Sequence, residues 1–403
     1  MLPDGVLLEI FDFYVGEQRI QQWITLAHVC RRWRSVVFQS PRRLNLRLLC
    51  TRKTPAMDTL DIWPPFPLII YDFDEEPGEV DNIIAVLEHN DRVCQIKLRQ
   101  YSSPELEHVT DSEAMQKPFP ELTYLRLTAP VYGDESWPIL PDSFLGGTAP
   151  RLRSLDLYNI PLPGLPKLLL SATHLVDLCL QSIPRSGYIP PEAMSTGLSA
   201  LTSLDCLCLD FGYPPPRPAL DSRRPPPPPL TRSILPSLTE IWFKGASEYL
   251  EEILARIDAP RVNKLGIIFF NQIIFDTSQL CRFIDRRPML RAPKEGHITF
   301  GSEAISVEFL SKTSDYGRLS VKILCTATEW QLSSLAQVCT SPLPPFSTLE
   351  VLYIGDRLLR WQDDVENTLL LDLLRSFAAV KNLYLSDEIV PRIGPALQEL
   401  VGG

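Results

Sequence analysis

The apolar positions of the first forty residues recur at helical spacing. Val6, Leu7, Ile10, Phe11 and Tyr14 share one face of a helix that opens at Leu2-Pro3-Asp4 and stops near Gly16. Trp23, Leu26 and Ala27 predict a second short helix. Val29, Trp33, Val36 and Val37 predict a third, with Arg31, Arg32 and Arg34 outward and Ser40-Pro41 at its end. Further along, the spacing changes. A short unit, apolar-x-x-apolar-x-apolar, recurs nine times between Val93 and Leu385. Its middle apolar residues are Ile96, Leu125, Leu155, Leu178, Leu207, Ile241, Leu265, Leu352 and Leu383, separated by 29, 30, 23, 29, 34, 24, 87 and 31 residues. The last two apolar residues of a unit are two apart, so they share one face of an extended chain. Pro120, Pro150, Pro236 and Pro260 stand just ahead of four units. Helical periodicity fills several intervals, at 80–88, 247–257, 278–286, 329–338 and 365–378.

A strand, a turn and a helix repeated about every 29 residues predict an α/β fold of the leucine-rich-repeat type. The expected architecture is a horseshoe solenoid, with parallel strands on the concave side and helices outside. No single unit can bury its own leucines, whereas stacked neighbours can. The 87-residue interval has room for about three more units, and strand-like runs near Ile298 and at 319–325 suit it. The chain then divides into the helical segment 1–41, a linker and capping segment at 42–78, and irregular repeats over 79–403.

Charge changes the picture at one end. The net charge is -10, but residues 1–53 hold nine Lys or Arg against four Asp or Glu, leaving -15 for the rest. An acidic chain argues against nucleic acid as the main partner, since phosphate binding needs clustered cations. A basic first segment suits an acidic partner, or is a solvated basic face. The nine cysteines form no CxxC, and no Cys/His cluster has zinc-ligand spacing, so neither a metal nor a cofactor is expected. Cys206 and Cys208 fall in a strand pattern and read as plain sheet residues. No signal peptide, apolar run of membrane-spanning length or Asn-x-Ser/Thr acceptor is found, which points to a cytoplasmic or nuclear protein without a membrane partner.

Two segments stand apart. Residues 212–231, GYPPPRPALDSRRPPPPPLT, predict polyproline II conformation. They suit an SH3 or WW ligand, or a loop insertion tolerated between two repeats, which is the preferred reading. Asp72, Asp74, Glu75 and Glu76 form an acidic run that reads as a solvated turn ahead of a helix N-terminus.

The N-terminal run resembles the F-box motif. Leu2, Pro3, Asp4, Val6, Leu7, Glu9, Ile10 and Phe11 match its opening, and Leu26 with the stretch HVCRRWRSVV matches its second half. The repeats behind it resemble those of divergent fungal F-box proteins. The resemblance implies docking onto a Skp-type adaptor and, through it, a cullin–RING (SCF) ubiquitin ligase, with the repeats holding a protein substrate. It implies adaptor contacts from Leu2, Pro3, Val6, Leu7, Leu26, Val29 and Trp33. Gly5 stands where the motif usually has an acidic helix former. The competing reading is a repeat scaffold whose F-box-like unit does not engage a ligase.

Between the two apolar residues of each strand lies a side chain on the opposite face. Among these, Arg126, Trp242, Tyr353 and Tyr384 have the chemistry of protein-binding anchors and are the candidate substrate contacts. No catalytic residue is assigned. The chain lacks Gly-x-Gly-x-x-Gly, a Walker loop, HExxH and Gly-x-Ser-x-Gly, and its five histidines lie far in sequence from any plausible nucleophile.

Overall fold

The computed structural model describes residues 2–15, 22–53, 56–72, 79–99, 101–130, 139–213, 232–272, 275, 277–291, 293–310, 317–325, 328–340, 348–356, 367–377 and 379–402. The chain forms two compact units, Met1–Leu175 and Val176–Gly403.

The first unit begins with the three expected helices, α1 (Asp4–Val15), α2 (Gln22–Val29) and α3 (Arg31–Gln39). Gly5 falls in the first turn of α1, where a glycine costs less than in a helix interior. Five parallel strands follow in chain order: β1 (Leu48–Cys50), β2 (Leu68–Asp72), β3 (Val93–Leu98), β4 (Tyr124–Thr128) and β5 (Ser154–Tyr158). The stretch 42–78, read from sequence as a linker and capping segment, thus supplies β1 and β2 of this sheet. Between and after the strands lie α4 (Ala56–Ile62), α5 (Val80–Leu87), α6 (Ser103–Thr110) and α7 (Leu165–Ser171). The repeated leucines do what their spacing requires: Ile96, Leu98, Leu125, Leu127, Leu155 and Leu157 are all buried. Trp23 anchors the helices to this unit. It is fully buried, its Nε1 donates to the Arg47 carbonyl at 3.0 Å, and Phe38, Trp63 and Phe66 meet its ring edge-on.

The second unit contains β6 (Asp177–Ile183), β7 (Cys206–Phe211), β8 (Ser233–Ile234), β9 (Glu240–Gly245), β10 (Ile257–Asp258), β11 (Lys264–Phe269), β12 (Glu295–Phe300), β13 (Ala304–Leu310), β14 (Arg318–Leu324), β15 (Val351–Asp356) and β16 (Asn382–Leu385). Its helices are α8 (Pro191–Leu198), α9 (Ser247–Arg256), α10 (Ser278–Asp285), α11 (Pro288–Arg291), α12 (Thr328–Thr340), α13 (Asn367–Arg375) and α14 (Val390–Gly402). The main sheet runs β6-β7-β9-β11-β14-β13-β12-β15-β16, and β8 pairs with β10 beside it. On its inner face Leu207, Leu209, Ile241 and Phe243 meet Leu250, Ile253 and Leu254 of α9.

All nine sequence units are strands, but the 87-residue interval does not hold three more repeats. The chain leaves β11, passes through α10 and α11, and enters the sheet at β12, three places away. It returns antiparallel as β13, fills the place beside β11 with β14, and crosses along α12 to β15. The cause is chain length. Only residues 301–303 join β12 to β13, and a parallel crossover needs a dozen or more. The regular run of parallel strands therefore breaks here.

Polar staples tie successive elements. The Glu251 carboxylate of α9, nearly buried, accepts from the backbone N–H of Gln279 at 2.5 Å and Leu280 at 2.8 Å, capping α10. Arg287 is 1% exposed. It donates to the carbonyls of Ala259 (3.1 Å) and Phe283 (2.8 Å) and to Asp258 Oδ1 (2.6 Å).

Of the Pro-rich stretch only Gly212 and Tyr213 lie within the described residues; 214–231 fall outside them. Gly16 and Asp74, Glu75 and Glu76 of the acidic run also fall outside. Among the described residues no helix is long and apolar enough to cross a membrane.

Candidate functional site

α1 carries two apolar stripes. Leu7, Phe11 and Val15 recur every four residues and turn inward, where they are buried. Leu2, Pro3, Val6, Ile10, Phe13 and Tyr14 turn outward and are exposed, Phe13 by 92%. Water contact over this much apolar surface on one helix is unfavourable, at roughly 25 cal/mol per Å². A contiguous exposed stripe of this kind marks an interaction site. Val29, at the end of α2, is 56% exposed.

The local sequence explains how the stripe is held. Cys30 is the N-cap of α3, its Sγ accepting from the Trp33 N–H at 3.4 Å. That cap sets the phase of α3, so Trp33 leans on Phe11 with ring centroids 4.8 Å apart. The next residue back, Arg32, reaches the start of α1. Its guanidinium donates to the Leu2 carbonyl at 2.5 Å and to Asp4 Oδ1 at 2.6 Å. The Leu2-Pro3 pair is thereby fixed at the head of the stripe. Arg34 Nε donates to the Ala27 carbonyl at 2.9 Å, closing α2 on α3.

The predicted adaptor contacts divide accordingly. Leu2, Pro3, Val6 and Val29 are exposed, and Trp33 is half-buried. Leu7 and Leu26 are 4% and 5% exposed and belong to the core of the helical unit. They support the surface and do not form it, because α1 and α2 turn those positions onto one another and onto α3. Sequence reading placed Val6, Leu7, Ile10, Phe11 and Tyr14 on one face and so merged two stripes. It left out Phe13 and the pinning role of Arg32. The signal for Phe13 was present: it extends the series Pro3, Val6, Ile10 at helical spacing.

The outward face of the second unit's sheet is one register row. Cys179, Cys208, Trp242, Gly266, Ser320, Glu308, His297, Tyr353 and Tyr384 are successive partners across it. His297, Tyr353 and Tyr384 stack as a ladder, with centroids 4.6 and 4.7 Å apart and rings within 12° of parallel. Trp242 lies across β11, where a Cβ on Gly266 would stand 2.1 Å from its Cε3. Gly266→Ala should therefore push the indole off the sheet and cost about 1–2 kcal/mol. A denaturation curve and near-ultraviolet circular dichroism check this; an unchanged curve would show that the ring moves freely.

In the first unit Arg126 is paired with Asp156 at 3.2 Å. Burial pushes the Asp156 carboxyl above its usual range, and Arg126 draws it back. Lys97, 4.6 Å from the Tyr124 ring centroid, is pushed down by burial and by Arg126 beside it. Arg126 is thus already engaged inside its own face, unlike Tyr384, which is 52% exposed.

Three of the sheet cysteines are held back from reaction. Burial pushes the Cys50 thiol up to about 11 and the Cys206 thiol up to about 12, while the hydrogen bond with Cys179, and burial after it, raises Cys208. Raised thiols are protonated and poor nucleophiles at neutral pH. Cys30 is exposed. A disulfide reagent at pH 8, followed by peptide mapping, should label Cys30 fast and these three slowly. Among the described residues no group of three or more His, Cys, Asp or Glu side chains could hold a metal ion.

The F-box-like family model matches residues 1–47, the three helices and the turn behind them. The chain therefore carries an F-box-like domain at its N-terminus, and protein interaction is the role that this domain suggests, with Skp-type adaptors as its typical partners. No curated protein matches the chain.

Proposed function

We propose that this chain is a substrate-recognition subunit of an SCF-type ubiquitin ligase, its F-box-like domain docking a Skp-type adaptor and its repeats binding a protein substrate. The observation that carries the reading is the outward stripe Leu2, Pro3, Val6, Ile10 and Phe13, fixed at its head by Arg32. The chain is a receptor without catalytic chemistry of its own; the ligase supplies the transfer. It acts in the cytoplasm or nucleus, where the adaptor and cullin are found. The basic charge of residues 1–53 favours encounter with an acidic adaptor.

The repeats, stacked as a solenoid of leucine-rich type, present the substrate surface. The ladder ending at Tyr384 and the indole of Trp242 are its anchors, because rigid exposed aromatics give large contact area at small entropic cost. Tyr353 contributes as the middle rung, and Arg126 orients charge in the first unit. Titration calorimetry of the full chain with a Skp-type adaptor tests the docking half: one-to-one association is expected, and no detectable binding would sink the proposal.

A further inference from the structure

On the first unit's sheet one row of side chains crosses four neighbouring strands. Tyr71 of β2 is the register partner of Lys97 on β3, Lys97 of Arg126 on β4, and Arg126 of Asp156 on β5. Alternation along the strands puts Lys97, Arg126 and Asp156 on the face opposite the buried leucines.

Positive charge is in excess on this face. Lys97, Arg126 and Asp156 are the charged residues of β3, β4 and β5. Arg99, one residue past the end of β3, adds a charge that reaches Asp156. Among the described residues, three cations thus stand against one carboxylate. Like charges on directly opposed strand positions repel, and Lys97 and Arg126 are such a pair. Lys97 makes no ion pair among the described residues; its ammonium lies 4.6 Å from the Tyr124 ring centroid and 5.7 Å from that of Tyr71. Arg126 Nε stands 3.2 Å from Asp156 Oδ2, but neither it nor Asp156 Oδ1 has a hydrogen-bond partner among the described residues. The internal carboxylate leaves the excess charge uncompensated and the guanidinium with donors to spare.

We propose that this face binds an acidic, carboxylate-bearing segment of the protein substrate, laid in extended form along β3. This rests on the reading of the repeats as a substrate surface and gives that substrate its chemistry. Asp156 is the internal example of the contact, a carboxylate held against Arg126. Spacing favours a run of carboxylates over a single doubly charged group. Lys97 and Arg99 are two residues apart on one extended stretch, about 6.6 Å, and alternate side chains of an extended acidic segment repeat at the same distance. The cations are half-buried, so each contact is screened less than an ion pair on open surface.

The test is fluorescence anisotropy of the full chain with three labelled peptides, of alternating Glu and Gly, Gln and Gly, and phosphoserine and Gly. Salt is held near 0.1 M, where screening over about 10 Å lets the local face, and not the chain's net charge of -10, decide the outcome. The Glu peptide should bind and its Gln twin should not. Lys97→Gln and Arg126→Gln should each weaken binding about tenfold, and Asp156→Asn, which removes the competing carboxylate, should tighten it about threefold. A gain of affinity is a result that loss of structure cannot give. Lys322→Gln, which removes an exposed cation from β14 of the second unit, should change nothing. The proposal is overturned by a Glu peptide that does not bind, by binding of the phosphoserine peptide alone, by weaker binding in Asp156→Asn, or by equal losses in Lys97→Gln and Lys322→Gln. Adaptor titration reads the helices α1 to α3 and this experiment reads the sheet, so failure here is told apart from failure of ligase docking.

Discussion

Val6→Glu combined with Ile10→Glu is expected to weaken adaptor binding by at least about a hundredfold while leaving the chain folded. Both side chains sit on the outward stripe of α1, exposed by 43% and 47%, so neither contributes much to the core. Glu is also a better helix former than the β-branched residues it replaces. In a docked complex, however, each carboxylate would be taken out of water without a partner. Two such burials cost several kcal/mol even after relaxation, and about 2.7 kcal/mol already corresponds to a hundredfold. The added negative charge further opposes an acidic adaptor. Titration of the double variant reads the loss, and its unfolding midpoint should stay within a few degrees of the wild type. Equal loss of binding and of stability would mean that the stripe is structural.

Arg287→Leu should produce the largest stability loss in the second unit. Leucine keeps much of the buried volume but leaves the Phe283 carbonyl without its donor, while the Ala259 carbonyl keeps only the Val262 N–H at 3.3 Å. Orphaned buried acceptors cost about 1–3 kcal/mol each, while Asp258 is exposed enough to turn to water. A loss of about 2 kcal/mol in urea unfolding is expected; a change under about 1 kcal/mol would mean that solvent reaches the Phe283 carbonyl. Because Arg287 is remote in sequence and unit from α1, adaptor affinity per folded molecule should not change.

The strands were legible because each repeat writes two buried residues two apart, a signal that survives in isolation. Ile241 and Phe243 or Leu352 and Ile354 need no context to be read as a pair. The exchange of places by β12, β13 and β14 was not legible from periodicity, since an antiparallel strand has the same alternation as a parallel one. The three-residue link 301–303 was the available clue, as it is too short for any crossover. The helical face of α1 was read too coarsely for a similar reason. Its two stripes adjoin, and only the packing of Phe11 against Trp33 tells inward from outward. Arg287 and Glu251 could not have been singled out, because all their partners but the Phe283 carbonyl lie 27 to 29 residues away and most are backbone groups.

On the sheet face, sequence identified Trp242, Tyr353 and Tyr384 correctly as outward. It missed His297, which extends the stack of the two tyrosines by one rung from a strand the repeat pattern skipped. It named Arg126 as a candidate anchor without the partner that engages it, Asp156 on the neighbouring strand. Both outcomes follow from register, which a single repeat does not encode.

Hydrogen–deuterium exchange of the full chain, alone and with a Skp-type adaptor, tests the central claim most directly. The stripe on α1 and the turn at Val29 should be the places that gain protection, with amides of residues 4–15 and 28–33 slowed and the strands of the second unit unchanged. Protection confined to the repeats, or none anywhere at saturating adaptor, would contradict docking through the F-box-like domain.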